Sequence, residues 1–186
     1  MQSDVLRFLR PRDALLLMHL RHRAIRESPT AFGTPADVEV HRSAAYYRRQ
    51  LLSMDWGGHG AWLGLWQEEK LLGVAGLRQK NEQNQTYGLI FSMFVEAEAR
   101  CSGRGKRLLL AARAHLREQW KLPECRLCVE TANTGALRLY ERCGFHVLRR
   151  EPNAFVIDGL PHDVWLLSDR DLGAQQPTKA DAEQTP

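Results

Sequence analysis

The chain is 186 residues long, 44% apolar and 26% charged, with a net charge of +4. This is the balance of one soluble globular domain large enough to bury a sizeable core, and its longest apolar runs are far too short to cross a bilayer. The mild basicity comes without a dense Lys/Arg tract, so nucleic-acid binding is not demanded, and a polyanionic ligand would account for part of the excess. The start, Met1-Gln2-Ser3-Asp4, lacks the basic and apolar stretches of a signal peptide. The expectation is a cytoplasmic protein with no membrane partner.

Residues 4–9 read as a first strand. Asp13 opens a helix to about Ser28, with Leu16, Leu17, Leu20, Ala24 and Ile25 on its apolar side. Its Arg21, His22, Arg23 and Arg26 read as a solvated basic face. Pro29–Gly33 is a loop, and Thr34-Pro35-Ala36-Asp37 starts a second helix to about Leu52. Asp55–Gly60 is a turn, 61–67 and 71–79 form a hairpin, and 81–85 is a polar loop. A strand at 87–95, a helix at 105–120, a strand at 124–130 and a helix at 134–143 follow. The domain closes with a hairpin, 145–151 and 162–168, around Asp158-Gly159. Residues 1–172 thus make one domain, and 173–186 is a polar tail expected to be disordered. The order implies a layered α+β sheet with parallel and antiparallel pairs.

Cys125 and Cys128 have metal-like spacing, but three residues along a strand put their side chains on opposite faces. No second such pair exists, so neither zinc nor any other metal is expected.

Two segments carry chemistry. The first, Arg100-Cys101-Ser102-Gly103-Arg104-Gly105-Lys106, lies between an apolar strand and the helix opened by Leu108. Two glycines at a helix N-terminus let a phosphate approach backbone N–H groups and the positive end of the helix dipole. Arg104, Lys106 and Arg107 add charge around it. The spacing is neither a P-loop nor a dinucleotide fingerprint. The second segment runs from Leu127 to Phe145, again strand, turn, helix, with Asn133 or Thr134 as cap and Gly144 as stop.

Taken together, R-x-x-G-x-G followed by N-x-x-A-x-x-x-Y-x-x-x-G-F resembles the GCN5-related N-acetyltransferase (GNAT) superfamily. The resemblance is strongest over residues 71–150 and absent beyond 168. It implies a three-layer fold, with a twisted sheet of six or seven strands whose fourth and fifth strands splay apart to admit coenzyme A. It also implies acetyl-CoA as cosubstrate and an amine as acceptor, with a homodimer allowed. The backbone of Cys101, Ser102, Gly103, Arg104, Gly105 and Lys106 would hold the pyrophosphate, with Arg100 beside it. Met93, Phe94, Val95 and Asn133 would bind the pantetheine arm. Tyr140 matches the position that protonates the leaving thiolate, and a phenol is a reasonable donor to it.

The general base is less defined. On the fifth strand Glu130 is the only acid beyond its first residue, and Glu39, His41 and Asp163 are further candidates to face the acceptor. Water acting as a proton wire would remove the need for a single base. Acceptor selection would fall to about Pro29–Glu39 and Glu151–Asp163, with Phe32, Glu39, Phe155 and Asp163 contributing. The expected activity is direct acetyl transfer to a small-molecule amine. Two rivals are carried alongside it: a protein N-terminal or lysine acetyltransferase, and a non-catalytic acyl-CoA sensor.

Overall fold

The computed structural model describes residues 3–57, 60–82 and 84–170. The expected tail at 173–186 lies outside them, as do parts of the 55–60 turn and the 81–85 loop. The chain runs β1 (Asp4–Phe8), α1 (Ala14–Glu27), α2 (Pro29–Phe32), α3 (Ala36–Val40), α4 (Ala44–Gly57), β2 (Gly60–Gln67) and β3 (Lys70–Glu82). It continues through β4 (Gln85–Val95), α5 (Arg104–Ala114), β5 (Cys125–Glu130), α6 (Thr134–Arg142), β6 (His146–Ile157) and β7 (Leu160–Ser168).

The strands form one seven-stranded sheet in the order β1-β2-β3-β4-β5-β7-β6. Every pair is antiparallel except β4 with β5. Helices cover both faces, which is why β2 reads as an almost unbroken apolar run rather than an alternating one. On one face Leu108, Leu109 and Ala112 of α5 and Leu137 and Tyr140 of α6 pack on Leu65, Leu77, Leu127 and Leu167. On the other, Leu17 and Leu20 of α1 and Tyr47 and Leu51 of α4 pack on Trp62, Trp66, Val74 and Phe94. The expected three-layer architecture is therefore present.

Several local expectations change. The helix anticipated from 34 to 52 is two helices. Arg42 N–H donates to Glu39 O, and Ser43 restarts the chain by accepting from Tyr47 N–H and, through Oγ, from Tyr46 N–H. Pro29–Phe32 is a short helix, stopped by Gly33 in the left-handed region at φ 57°. The helix expected to run to 120 stops as α5 at Ala114 and continues as a π-helical turn from His115 to Gln119. β6 runs on to Ile157 through a bulge near Asn153, whose N–H donates to Asp163 Oδ1. Arg21 is not on a solvated face: it is 5% exposed and 3.5 Å from Glu39, while Arg23 pairs with Glu96 at 2.7 Å.

Candidate active site

β4 and β5 are paired only at Gly88–Cys125 and Leu89–Arg126. Beyond those pairs the strands diverge, which opens a cleft in mid-sheet. β4 also bulges there, because its register with β3 jumps from Gly76–Phe91 to Val74–Phe94. Ser92, inside that jump, has φ 50°, a conformation that non-glycine residues rarely adopt and that functional sites tend to retain. The cleft has a volume of about 70 Å³, and Ser92 and Met93 line it together with Phe32, Cys128, Asn133 and Tyr140.

Asn133 caps α6, its Oδ1 accepting from Ala136 N–H at 3.1 Å. That leaves its amide N–H₂ to donate into the cleft. Tyr140 lies two turns along the same helix. It is 8% exposed, its ring meets Phe145 edge-on at 6.4 Å, and burial pushes its phenol up to about 12. No hydrogen bond to its hydroxyl is made among the described residues. Cys128 lines the same cleft with its side chain exposed, and local desolvation raises its thiol.

At the N-terminus of α5, Cys101 and Gly103 both take left-handed φ values, 57° and 81°. Gly103 is the N-cap and supplies no side-chain cap, so the first-turn N–H groups stay open to a ligand. Space around Gly103 is open, with no heavy atom within 4 Å of where a Cβ would stand. Ser102 Oγ donates to Ala99 O at 2.8 Å and fixes the turn.

The charge around this loop differs from the expectation. Arg104 forms a two-point pair with Asp4 at 2.8 and 2.9 Å, and Arg107 donates to Asp4 O. Both side chains tie α5 to β1 instead of flanking the turn. Arg100 donates to Val95 O at 2.8 Å and pairs with Glu27, so it braces β4 against α1. Lys106 is exposed and has no acidic partner among the described residues. The cationic character at the turn therefore rests on Lys106 and the helix dipole.

The acceptor-side residues separate into two groups. Glu130 stands at the end of β5, on the same face as Cys128. It receives a hydrogen bond from Thr30 Oγ1 at 3.3 Å and lies 3.2 Å from His162 Nδ1. Phe155 stacks on His162 with centroids 5.3 Å apart and an interplanar angle of 15°. Its ring sits against Gly33, where an added Cβ would be 3.2 Å away. Phe32 meets Phe94 edge-on at 6.2 Å. The two expected specificity segments thus touch across the mouth of the cleft.

Glu39 and Asp163 do not join that group. Glu39 is 1% exposed and held by Arg21, Arg42 and Tyr47. Asp163 points to the opposite face of β7 from His162, pairing with Arg150 and accepting from Asn153 N–H. Those contacts, the Asn153 N–H first, hold its carboxyl below the usual range. His162 and Thr30 were not singled out in the sequence. The signal for His162 is register: across the Asp158-Gly159 hairpin it falls directly opposite Phe155.

If anion binding at the α5 turn depends on the backbone geometry of Gly103, Gly103→Asp should weaken acetyl-CoA binding by about tenfold or more, since it places a negative charge at the positive helix end. Gly103→Asn is the uncharged control and tolerates left-handed φ. Calorimetry should find the Asn variant much nearer wild type; equal losses in both would mean that only strain was measured.

Among the described residues no helix is long and apolar enough to cross a membrane, and no cluster of three or more His, Cys, Asp or Glu side chains is placed to hold a metal ion.

Residues 22–145 match the acetyltransferase (GNAT) family. A 58-residue stretch, 31% of this chain and 19% of the relative, is 45% identical to mycothiol acetyltransferase of Thermobispora bispora. An 87-residue stretch, 45% of this chain and 57% of the relative, is 32% identical to spermine/spermidine N(1)-acetyltransferase of Bacillus subtilis. The matches thus span less than two thirds of either relative. Spermidine N-acetyltransferase from Vibrio cholerae, solved in complex with CoA and spermine, shares the fold with a TM-score of 0.75 at 17% identity, over 90% of this chain and 95% of that one.

Proposed function

The chain belongs to the acetyltransferase (GNAT) family, and we propose that it transfers the acetyl group of acetyl-CoA to the primary amine of a small molecule, by direct attack in a ternary complex. The observation that carries this reading is the cleft between the diverging ends of β4 and β5, lined by Asn133 and Tyr140. Solved relatives of the same fold include one with CoA bound, and the curated relatives are named mycothiol acetyltransferase and spermine/spermidine N(1)-acetyltransferase.

The residues fit acetyl-CoA. The uncapped turn at Gly103–Lys106 suits the pyrophosphate. The bulged edge of β4 and the Asn133 amide suit the amide-rich pantetheine arm. Glu130, at the acceptor mouth, takes the proton of the incoming ammonium. The freed nitrogen forms a bond to the acetyl carbon, the carbon–sulfur bond breaks, Tyr140 gives its proton to sulfur, and the second proton shed by nitrogen restores the Tyr140 hydroxyl. Overall an ammonium and acetyl-CoA yield an amide, the CoA thiol and one proton released to solvent.

The test is steady-state CoA release with both substrates varied. Intersecting initial-velocity lines are expected. Parallel lines, together with loss of activity in Cys128→Ser, would point to an acetyl-enzyme and overturn direct attack. Glu130→Gln should lower kcat/KM about 10²-fold near neutrality. The deficit should shrink as pH rises, because more of the acceptor then arrives already deprotonated. A pH-independent deficit would leave Glu130 as an acceptor-binding residue only. Binding of acetyl-CoA without CoA release on any amine would refute the transferase reading.

A further inference from the structure

The mouth of the cleft is poor in free negative charge. Glu39 is saturated by two arginines and a tyrosine, and Asp163 is turned to the far face of the hairpin. Glu151 pairs with Arg149 at 2.7 Å. Asp37 and Asp158 are exposed, where solvent screens their charge. Among the described residues this leaves Glu130, its side chain 11% exposed, as the carboxylate at the mouth that is held by the His162 ring and the Thr30 hydroxyl rather than by an arginine. A cation sits behind the opposite wall: Arg21 Cζ is 5.0 Å from the centre of the Phe32 ring, and its Nη1 is buried without a partner.

The remaining wall is apolar and flat. Phe32 and Phe155 are each only partly buried, and Phe155 lies parallel to His162. Leu160 is 64% exposed and shares the strand face of Phe155 and His162 through the pairings Phe155–His162 and Ile157–Leu160.

We infer that the acceptor is a monoamine joined to a flat apolar body, an arylalkylamine in chemical class, with Phe155 and Phe32 setting that preference. This rests on the acetyltransferase reading of the cleft. The single ammonium pairs with Glu130, and the ring lies along the aromatic wall, where offset or edge-on contacts are favourable. A polyamine would carry its second and third ammonium groups past that carboxylate and onto the apolar wall of Phe32 and Phe155. Each would be desolvated there without an acidic partner, since the nearest buried acid behind Phe32, Glu39, is already held by Arg21 and Arg42.

The experiment compares 2-phenylethylamine with spermidine. kcat/KM for 2-phenylethylamine should exceed that for spermidine by about tenfold or more, the scale on which one pocket contact discriminates. Phe155→Ala should collapse that ratio through the KM of the aryl substrate. Phe155→Leu, which keeps bulk and loses the flat face, should reduce it less and guards against a folding artefact. Equal or better use of spermidine, or an unchanged ratio in both variants, overturns the inference. Calorimetric titration of 2-phenylethylamine into the CoA-bound protein separates the two readings. Binding that Phe155→Ala weakens, without turnover of any amine, refutes the transferase while keeping the acceptor class. Absence of binding overturns the acceptor class itself.

Discussion

Tyr140→Phe will lower kcat by about 10²–10⁴-fold, the scale of losing a positioned general acid, while acetyl-CoA affinity and melting temperature stay near wild type. The ring is what α6 uses for packing: it lies in the core with Leu137 and meets Phe145 edge-on. Phe preserves that. The hydroxyl makes no hydrogen bond to a described residue, so its removal orphans no partner and the usual penalty for an unsatisfied group does not arise. Burial pushes the phenol up to about 12, which makes it a weaker acid than a phenol in water. Desolvation disfavours a thiolate formed beside it as it disfavours the phenolate, so the leaving sulfur keeps its demand for a proton. The measurement is single-turnover acetyl transfer at saturating substrates. A Phe variant that reacts at the wild-type rate would make Tyr140 a packing residue only, and would move the proton donor to solvent.

What the sequence discloses is local. The glycine turn before α5 and the cap-to-stop pattern of α6 are each set by residues within a few positions of one another, and both stand where the spacing puts them. The strand divergence at the cleft agrees with the architecture the two motifs imply. What stays hidden is the direction in which long charged side chains are pulled by distant partners. Arg104 sits next to the glycine turn in sequence, yet it is captured by Asp4, a hundred positions away. Arg100 is likewise drawn to Glu27 and Val95. Glu39 reads as an acid in the segment expected to select the acceptor, and only the packing of α1 against α3 and α4 turns it inward. The pairing of His162 with Glu130 needs the β5–β7 register, which no local pattern encodes.

Glu39 therefore supports the largest stability prediction. Its carboxylate is 1% exposed, accepts a hydrogen bond from Tyr47 Oη, and faces Arg21 at 3.5 Å and Arg42 at 2.7 Å. Burial first, and then the carboxylate, pushes the Tyr47 phenol upward, so Tyr47 donates its proton to Glu39 and stays neutral. Arg21 is itself 5% exposed. Glu39→Ala removes the only acid beside this buried guanidinium among the described residues and leaves the Tyr47 hydroxyl without its acceptor. Breaking one side of a buried pair costs about 3–5 kcal/mol, and at about 2–4 °C per kcal/mol for a chain of this size the melting temperature should fall by about 10 °C. Glu39→Gln keeps an acceptor for Tyr47 but not the charge for Arg21, so it should lie between the two. Thermal unfolding checks the order. If Glu39 instead served the acceptor directly, Glu39→Ala would raise the KM of the amine with an unchanged melting temperature. That result would require the α1–α3–α4 layer to open during binding, since the carboxylate is closed off from the cleft in the packed protein.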